Sequence, residues 1–344
     1  ELRELRGGRQ LAALLFTSGS SGAPKGVLHT SDTLAYKATG MAAVHRLTPD
    51  DVVLMPAPLA HVSGLLNAVT LPGAVPFKTV LMRRWNADAA LDLIERERVS
   101  FMVGPPTFFV ALMQAPGFSA TRVESLRLVS SGGAGVSDAF VAEASERLGT
   151  VVKRTYGSTE APSVATALPD APDDAPRAIA PCELRIDDGG ELLIRGPEVC
   201  AGYLDAPDTE RAFTTDGFYR TGDLATIDAA GRLAIRGRLD DVIIRGGENI
   251  SATEVAALLE RHPAVRQCAV IGVADDLMGE RACAFVVADA GFDLAECARW
   301  CAAEGLARFK TPERVIVLDA LPVLASGKPD RAALRARAAE VSSS

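Results

Sequence analysis

The ten residues Thr17-Ser18-Gly19-Ser20-Ser21-Gly22-Ala23-Pro24-Lys25-Gly26 constrain this chain more than any other stretch. They follow a short apolar run, Leu11 to Phe16, that reads as a buried strand bounded by turn residues. Three glycines, four hydroxyls, one proline and one lysine fall within them. Glycine lets the backbone approach an anion closely and take positive φ, while hydroxyls and free N–H groups donate to phosphate oxygens. Lys25 adds a point charge. A phosphate cradle has this composition, and so does a flexible Gly/Ser linker, although a linker does not usually sit directly behind a buried strand. The stretch is not the nucleotide loop G-x-x-x-x-G-K-[ST], because Gly26 follows the lysine.

A chain of 344 residues can bury two or more cores, and 48% hydrophobic with 23% charged residues is the balance of an ordinary soluble enzyme. The net charge of -8 argues against a general nucleic-acid binder. No apolar run approaches the roughly 20 residues that span a bilayer, and the charged stretch Glu1 to Gln10 lacks a signal-peptide pattern. The six cysteines form no C-x-x-C pair. Cys297 and Cys301 lie one helical turn apart with no histidine at ligand spacing, which favours thiols over a metal site and a reducing, cytoplasmic compartment.

Further along, Thr30 to Val44 reads as a helix with Ser31 as N-cap, and Asp51 to Pro56 as a strand running into Pro58-Leu59-Ala60-His61-Val62-Ser63-Gly64. Leu91 to Arg98 has helical periodicity, and Ser100 to Val103 reads as a strand ending at Gly104. Such alternation predicts a parallel or mixed sheet with helices on its faces, and ligands then bind beyond the carboxyl ends of the strands. Two more strands, Leu126 to Val129 and Val151 to Arg154, end at Gly132-Gly133-Ala134 and Tyr156-Gly157-Ser158-Thr159-Glu160. Residues 167 to 178 read as a Pro/Asp-rich surface loop, and three alternating segments between Glu183 and Arg236 as a small β subdomain or barrel. From Asp241 the pattern is a compact α+β unit. Ser251-Ala252-Thr253-Glu254 is a capping box for a helix to about Arg261, strands follow at Cys268 to Val273 and Ala282 to Val287, then a helix from Leu294 to Ala303 and a strand from Arg314.

The order S-G-S-S-G-x-P-K-G resembles the signature loop of the adenylate-forming superfamily, the acyl-CoA synthetase and AMP-dependent ligase family. Matches to Y-G-x-T-E at Tyr156 to Glu160, to Tyr219-Arg220-Thr221-Gly222-Asp223, to Gly237-Arg238-Leu239-Asp240 and to Ser326-Gly327-Lys328 follow in that family's order. The resemblance implies an α/β fold. Residues 1–239 would be a large AMP-binding domain of mixed sheets, flanking helices and a small β subdomain, and residues 240–344 a small mobile α+β lid. The family carries an N-terminal part ahead of Glu1 and a glycine-based turn where Pro176-Arg177 stands.

By the same resemblance Thr17, Ser18, Gly19, Ser20, Ser21 and Lys25 hold the ATP phosphates. Gly132, Gly133 and Ala134 lie against adenine and the acyl group, Tyr156 stacks on adenine beside Gly157, and Thr159 reaches the phosphate. Glu160 holds Mg2+, Asp223 and Arg238 bind ribose, Asp240 is the hinge, Gly247 lines the pantetheine path, His61 borders the acyl pocket, and Lys328 is the adenylation lysine. The implied activity is ATP-dependent activation of a carboxylic acid followed by transfer to coenzyme A. A carrier-protein-directed adenylation enzyme and an o-succinylbenzoate-CoA ligase-like protein are the alternatives. Val62-Ser63-Gly64 offers no carboxylate for an amino acid's ammonium, and the walls His61 to Leu66, Val103 to Phe108 and Ser131 to Gly133 hold no charged residue. Burying an unpaired charge there would cost several kcal/mol. The expected acid is therefore a medium-chain, alicyclic or aromatic monocarboxylate.

Overall fold

The first apolar run forms strand β1 (Leu11–Thr17) in a computed structural model that describes residues 10–17, 24–167, 175–324 and 329–342. β1 pairs antiparallel with β2 (Lys25–Thr30), in register Phe16↔Gly26 and Thr17↔Lys25. A side chain at position 26 would put its Cβ 2.8 Å from Leu14 Cδ1 and 3.2 Å from Leu204 Cβ, so the strand is closely packed there. The helix that follows spans Ser31–Val44. Its N-cap is Thr30 rather than the expected Ser31: Thr30 keeps the extended conformation of β2, and its hydroxyl accepts from the Thr33 N–H at 3.2 Å.

Strands β3 (Val52–Met55), β4 (Lys78–Leu81), β5 (Phe101–Gly104), β6 (Leu128–Gly132), β7 (Val151–Tyr156), β8 (Ala165–Thr166) and β9 (Arg177–Ala178) form one sheet in the order 4-3-5-6-7-8-9. Pairing is parallel from β4 through β7 and antiparallel beyond, the mixed sheet expected. Helices Ala87–Glu97, Pro106–Gln114 and Asp138–Leu148 bury Leu91, Ile94, Phe109, Leu112 and Ala144 against Leu54, Met102 and Val129. The helix Ser31–Val44 brings Met41 and Ala42 to a second cluster with Val53, Phe101 and Leu128. With apolar clusters built on alternate residues of the same strands, the parallel strands read as nearly continuous hydrophobic runs. The first of the three helices starts four residues before Leu91 because Asn86 caps it, accepting from the Ala89 N–H at 2.8 Å.

β10 (Glu183–Ile186) and β11 (Glu191–Arg195) are followed by the short β12 (Gly202–Tyr203), which joins the free edge of β2 with Tyr203 opposite Val27. β13 (Tyr219–Ile227) and β14 (Leu233–Arg238) complete an open four-stranded sheet in the order 10-11-13-14. Asp187 and Asp228 set its tight turns, each accepting two backbone N–H groups at 2.9 Å through Oδ1.

The chain divides into two compact units, Glu1–Thr221 with Thr226–Ala234 and Gly222–Ala225 with Ile235–Ser344. In the second, β15 (Val242–Arg245), β16 (Glu248–Ser251), β17 (Val265–Asp275), β18 (Gly279–Ala288) and β19 (Arg314–Val317) form a sheet in the order 16-15-18-17, with β19 parallel to β18. Helices Ala252–Leu259 and Leu294–Ala303 pack with Ile250, Val270 and Val286, while Leu334 and Ala338 of the helix Arg331–Ser342 pack with Ile271 and Phe285. Ser251 caps the first of these, accepting from the Glu254 N–H at 3.2 Å. All six cysteines are buried free thiols. Among the described residues no helix is long and apolar enough to cross a membrane.

Candidate active site

In a parallel sheet the loops after the strands gather at one edge, and four of the sequence motifs do so here. The segments 56–64 after β3, Gly104-Pro105 after β5, Gly132-Gly133-Ala134 at the end of β6 and Tyr156–Glu160 at the end of β7 all leave carboxyl ends. Ser18, Gly19, Ser20 and Ser21 of the first loop lie outside the described residues, but its two ends are fixed. Thr17 Oγ1 donates to the Lys25 carbonyl at 3.4 Å, and Lys25 Nζ lies 3.3 Å from Asp208 Oδ1 and 5.5 Å from the centre of the Tyr203 ring.

Glu160 is 8% exposed, and its Oε1 accepts from the Tyr203 hydroxyl at 2.7 Å. Burial, and then the Glu160 charge, push the Tyr203 phenol well above its ordinary pKa, and Tyr219 beside it is raised for the same two reasons. Both stay neutral donors. The backbone of the loop is tied down as well, since the Cys200 N–H donates to the Glu160 carbonyl at 2.7 Å.

The residue before Glu160 is held from the other side by His29, which is fully buried on β2. Its Nε2 lies 2.7 Å from the Thr159 carbonyl and its Nδ1 3.2 Å from Thr33 Oγ1. A carbonyl only accepts, so Nε2 carries the proton. Burial keeps the imidazole below its ordinary pKa, against the opposing pull of the Thr159 carbonyl and the Glu160 charge, which leaves it neutral with Nδ1 as acceptor. The strand leaving the first loop and the loop bearing Thr159 and Glu160 are thus joined through one ring. Neither His29 nor Tyr203 stood among the sequence candidates; the signal available was period two, which puts His29 on the face of the buried Val27.

Close backbone approach explains the glycines here. A Cβ at Gly132 would lie 2.1 Å from the Thr155 carbonyl oxygen, and one at Gly157 2.1 Å from the Ser163 nitrogen. Gly133 has φ of +76°, the left-handed region that favours glycine. Under the same strands the hydroxyls of Ser130, Thr155 and Thr166 run in a chain at 2.7 and 2.9 Å. His61 caps a short helical turn, its Nδ1 accepting from the Ser63 N–H at 3.1 Å.

In the second unit Asp223 Oδ1 lies 3.4 Å from Arg238 Nη1, so the two expected ribose residues are neighbours. Gly246 and Gly247, with φ of +57° and +90°, form the β15–β16 turn. Asp240 lies in the turn Leu239–Asp241; its side chain and Lys328 fall outside the described residues.

The donor set suits a hard divalent cation held with substrate phosphates. Mg2+ is typically bound by one or two carboxylates, with water and phosphate oxygens completing its shell. Glu160 is such a carboxylate, nearly buried and partnered by a neutral phenol. Among the described residues no group of three or more His, Cys, Asp or Glu gathers into an all-protein cage.

Comparison with known proteins adds to this geometry. A family model described as AMP-binding enzyme matches residues 3–204, and one described as AMP-binding enzyme C-terminal domain matches residues 254–328. The chain is 36% identical to the medium-chain fatty-acid–CoA ligase of Escherichia coli (strain K12), covering 95% of this chain and 61% of that protein. It is 36% identical to the indoleacetate–CoA ligase of Aromatoleum aromaticum, with 92% and 65% covered. The chain therefore spans less than two thirds of the length of these two relatives. Among solved structures, ATP-bound MatB from Rhodopseudomonas palustris superposes with a TM-score of 0.88 at 32% identity, covering 96% of this chain and 69% of that one.

Proposed function

Because this chain belongs to the AMP-binding enzyme family of the adenylate-forming superfamily, we propose that it activates a carboxylic acid with ATP and passes the acyl group to coenzyme A. The observation that carries the reading is the joining, through His29, of the strand leaving the first loop to the Thr159–Glu160 loop, with the Glu160 carboxylate buried on Tyr203. In the first half-reaction the carboxylate oxygen attacks the α-phosphorus of ATP and pyrophosphate leaves. Little covalent chemistry falls to the protein, so positioning and charge stabilisation supply the rate.

Thr17, Ser18, Gly19, Ser20, Ser21 and Lys25 would hold the β- and γ-phosphates, and Thr159 the phosphate at the reacting end. Tyr156, Gly157, Gly132, Gly133 and Ala134 would bound adenine and the acyl group, and Asp223 with Arg238 would take the ribose hydroxyls. Glu160 would hold Mg2+, which on binding offsets phosphate charge. Lys328 would bridge carboxylate and α-phosphate. In the second half-reaction the coenzyme A thiol attacks the acyl carbonyl and AMP leaves, with Gly247 beside the pantetheine arm.

Residues 1–239 would be the adenylating domain and 240–344 a domain that pivots at Asp240 between the steps. Asp240→Pro should leave pyrophosphate release intact and stop thioester formation, because proline fixes φ and removes a backbone donor in the turn Leu239–Asp241. Normal rates in both steps would move the pivot elsewhere.

The acid is expected to be a medium-chain, alicyclic or aromatic monocarboxylate. The Nδ1 of His61 is taken up by its cap, and the other proposed wall residues from His61 to Leu66, Val103 to Phe108 and Ser131 to Gly133 carry no charge to meet a second carboxylate. The relatives named for medium-chain fatty acids and indoleacetate are in keeping with this. Pyrophosphate release across fatty, cyclic and aromatic acids, with malonate and succinylbenzoate alongside, tests it. Preference for either diacid overturns the pocket assignment.

A further inference from the structure

The Gly246–Gly247 turn is braced from behind by four charged side chains that none of the motifs above includes. Arg245, next to the turn, makes a two-pronged bond to Glu313, with Nε to Oε2 at 2.9 Å and Nη2 to Oε1 at 2.7 Å. Arg281 Nη1 donates to the same Glu313 Oε1 at 3.2 Å, and its Nε to Asp275 Oδ2 at 2.5 Å. Asp275 in turn sets the neighbouring β17–β18 turn, its Oδ1 accepting from the N–H groups of Leu277 and Met278 at 3.1 and 2.9 Å. That second turn returns to the first, since the Gly246 N–H donates to the Met278 carbonyl at 2.7 Å and a Cβ at Gly246 would meet Met278 Cε at 2.6 Å.

These contacts close a ring: Arg245, Glu313, Arg281, Asp275, the Leu277–Met278 backbone, and back to Gly246. Two positive-φ glycines in succession have many other conformations open to them. The ring selects one while leaving Gly247 clear, with nothing within 4 Å of where its Cβ would point. The side chains of Arg245 and Glu313 are each 23% exposed, so their forked, charge-assisted bonds are screened less than those at an open surface.

We infer that the Asp275–Arg281–Glu313–Arg245 chain is a positioning device that holds the Gly246–Gly247 turn in the shape the thiol half-reaction uses. This rests on the function proposed above, in which Gly247 borders the pantetheine arm. None of the four residues touches the reacting atoms. Their contribution is to the placement of the incoming thiol, so it belongs to the second half-reaction and not the first.

The test separates the half-reactions in purified protein carrying Glu313→Gln or Arg281→Met. Octanoyl- and benzoyl-adenylate with coenzyme A report thioester formation, and pyrophosphate release from ATP with the parent acids reports adenylation. Loss of a charge-assisted bond predicts thioester formation about ten- to a hundred-fold slower in kcat/KM for coenzyme A. Pyrophosphate release should be unchanged, and Arg281→Lys, which keeps the charge but not the fork, should recover part of the loss. Adenylation is the internal control for folding, because Lys328 belongs to the same unit. Equal loss in both half-reactions overturns the inference and makes the ring a stabiliser of the unit. Unchanged thioester formation overturns it as well. Unmodified protein that releases pyrophosphate yet forms no thioester overturns the acceptor proposed above and takes this inference with it.

Discussion

Lys328→Ala is expected to slow adenylate formation by about 10²- to 10³-fold, the usual loss when a group aimed at developing charge is removed. The first half-reaction brings an anionic carboxylate onto the α-phosphorus of a polyanion, so charge accumulates on oxygens at the moment of attack. A single ammonium between the two offsets that repulsion most strongly in the transition state, and the excess over its ground-state attraction is what raises the rate. The second half-reaction differs in kind: a thiol attacks a carbonyl that AMP has already activated, and no phosphorus centre gains a ligand. Thioester formation from supplied acyl-adenylate should therefore stay near the unmodified rate. Equal losses in the two assays would mean that Lys328 serves both steps or merely supports its own unit.

The parts of this fold that could be read from sequence are those set by local chemistry. Leu294–Ala303 is helical over the residues its pattern predicts, because Asp293 caps it through the Glu296 N–H and Cys297 and Cys301 repeat on its buried side. The Ser251 cap was legible for the same reason, although the Glu254 carboxylate accepts from Lys310 Nζ at 2.7 and 2.8 Å instead of returning to the cap. β2 was not, since Lys25 and Gly26 are depleted in strands and only pairing with β1 on one edge and β12 on the other makes the segment extended. The start of the helix at Ala87 lies ahead of the pattern read from Leu91, because the small residues Ala87, Ala89 and Ala90 add little apolar signal to its first turn.

The candidate site divides in the same way. Tyr156, Thr159 and Glu160 stand together in sequence and could be recognised as a run. His29 and Tyr203 reach them across 130 and 43 residues, and no local pattern encodes such a contact. What they share is strand β2, which carries His29 and pairs with the strand of Tyr203. The residues that fix Thr159 and Glu160 are thus products of sheet topology rather than of any motif.

Gly132→Ala is expected to bring the other large loss, and for a reason confined to one contact. The added Cβ would lie 2.1 Å from the Thr155 carbonyl oxygen, in a parallel ladder where Gly132 faces Thr155 directly. Backbone cannot swing aside as the end of a side chain can, so β6 and β7 must part at their carboxyl ends. The hydroxyls of Ser130, Thr155 and Thr166 oppose this, since their bonds at 2.7 and 2.9 Å join the strands just below. Overpacking of this kind costs about 1–3 kcal/mol in stability. The kinetic effect should be larger, because β6 leads into Gly133-Ala134 and β7 into Tyr156–Glu160, the proposed walls of the adenylate. A displacement of about 1 Å between such groups can lower the rate about 10²-fold. Gly135→Ala is the control: nothing lies within 4 Å of its Cβ position, so the same methyl three residues away should change little. Pyrophosphate release and thermal unfolding measured on both proteins decide the matter, and matching behaviour of the two variants would remove Gly132 from the site.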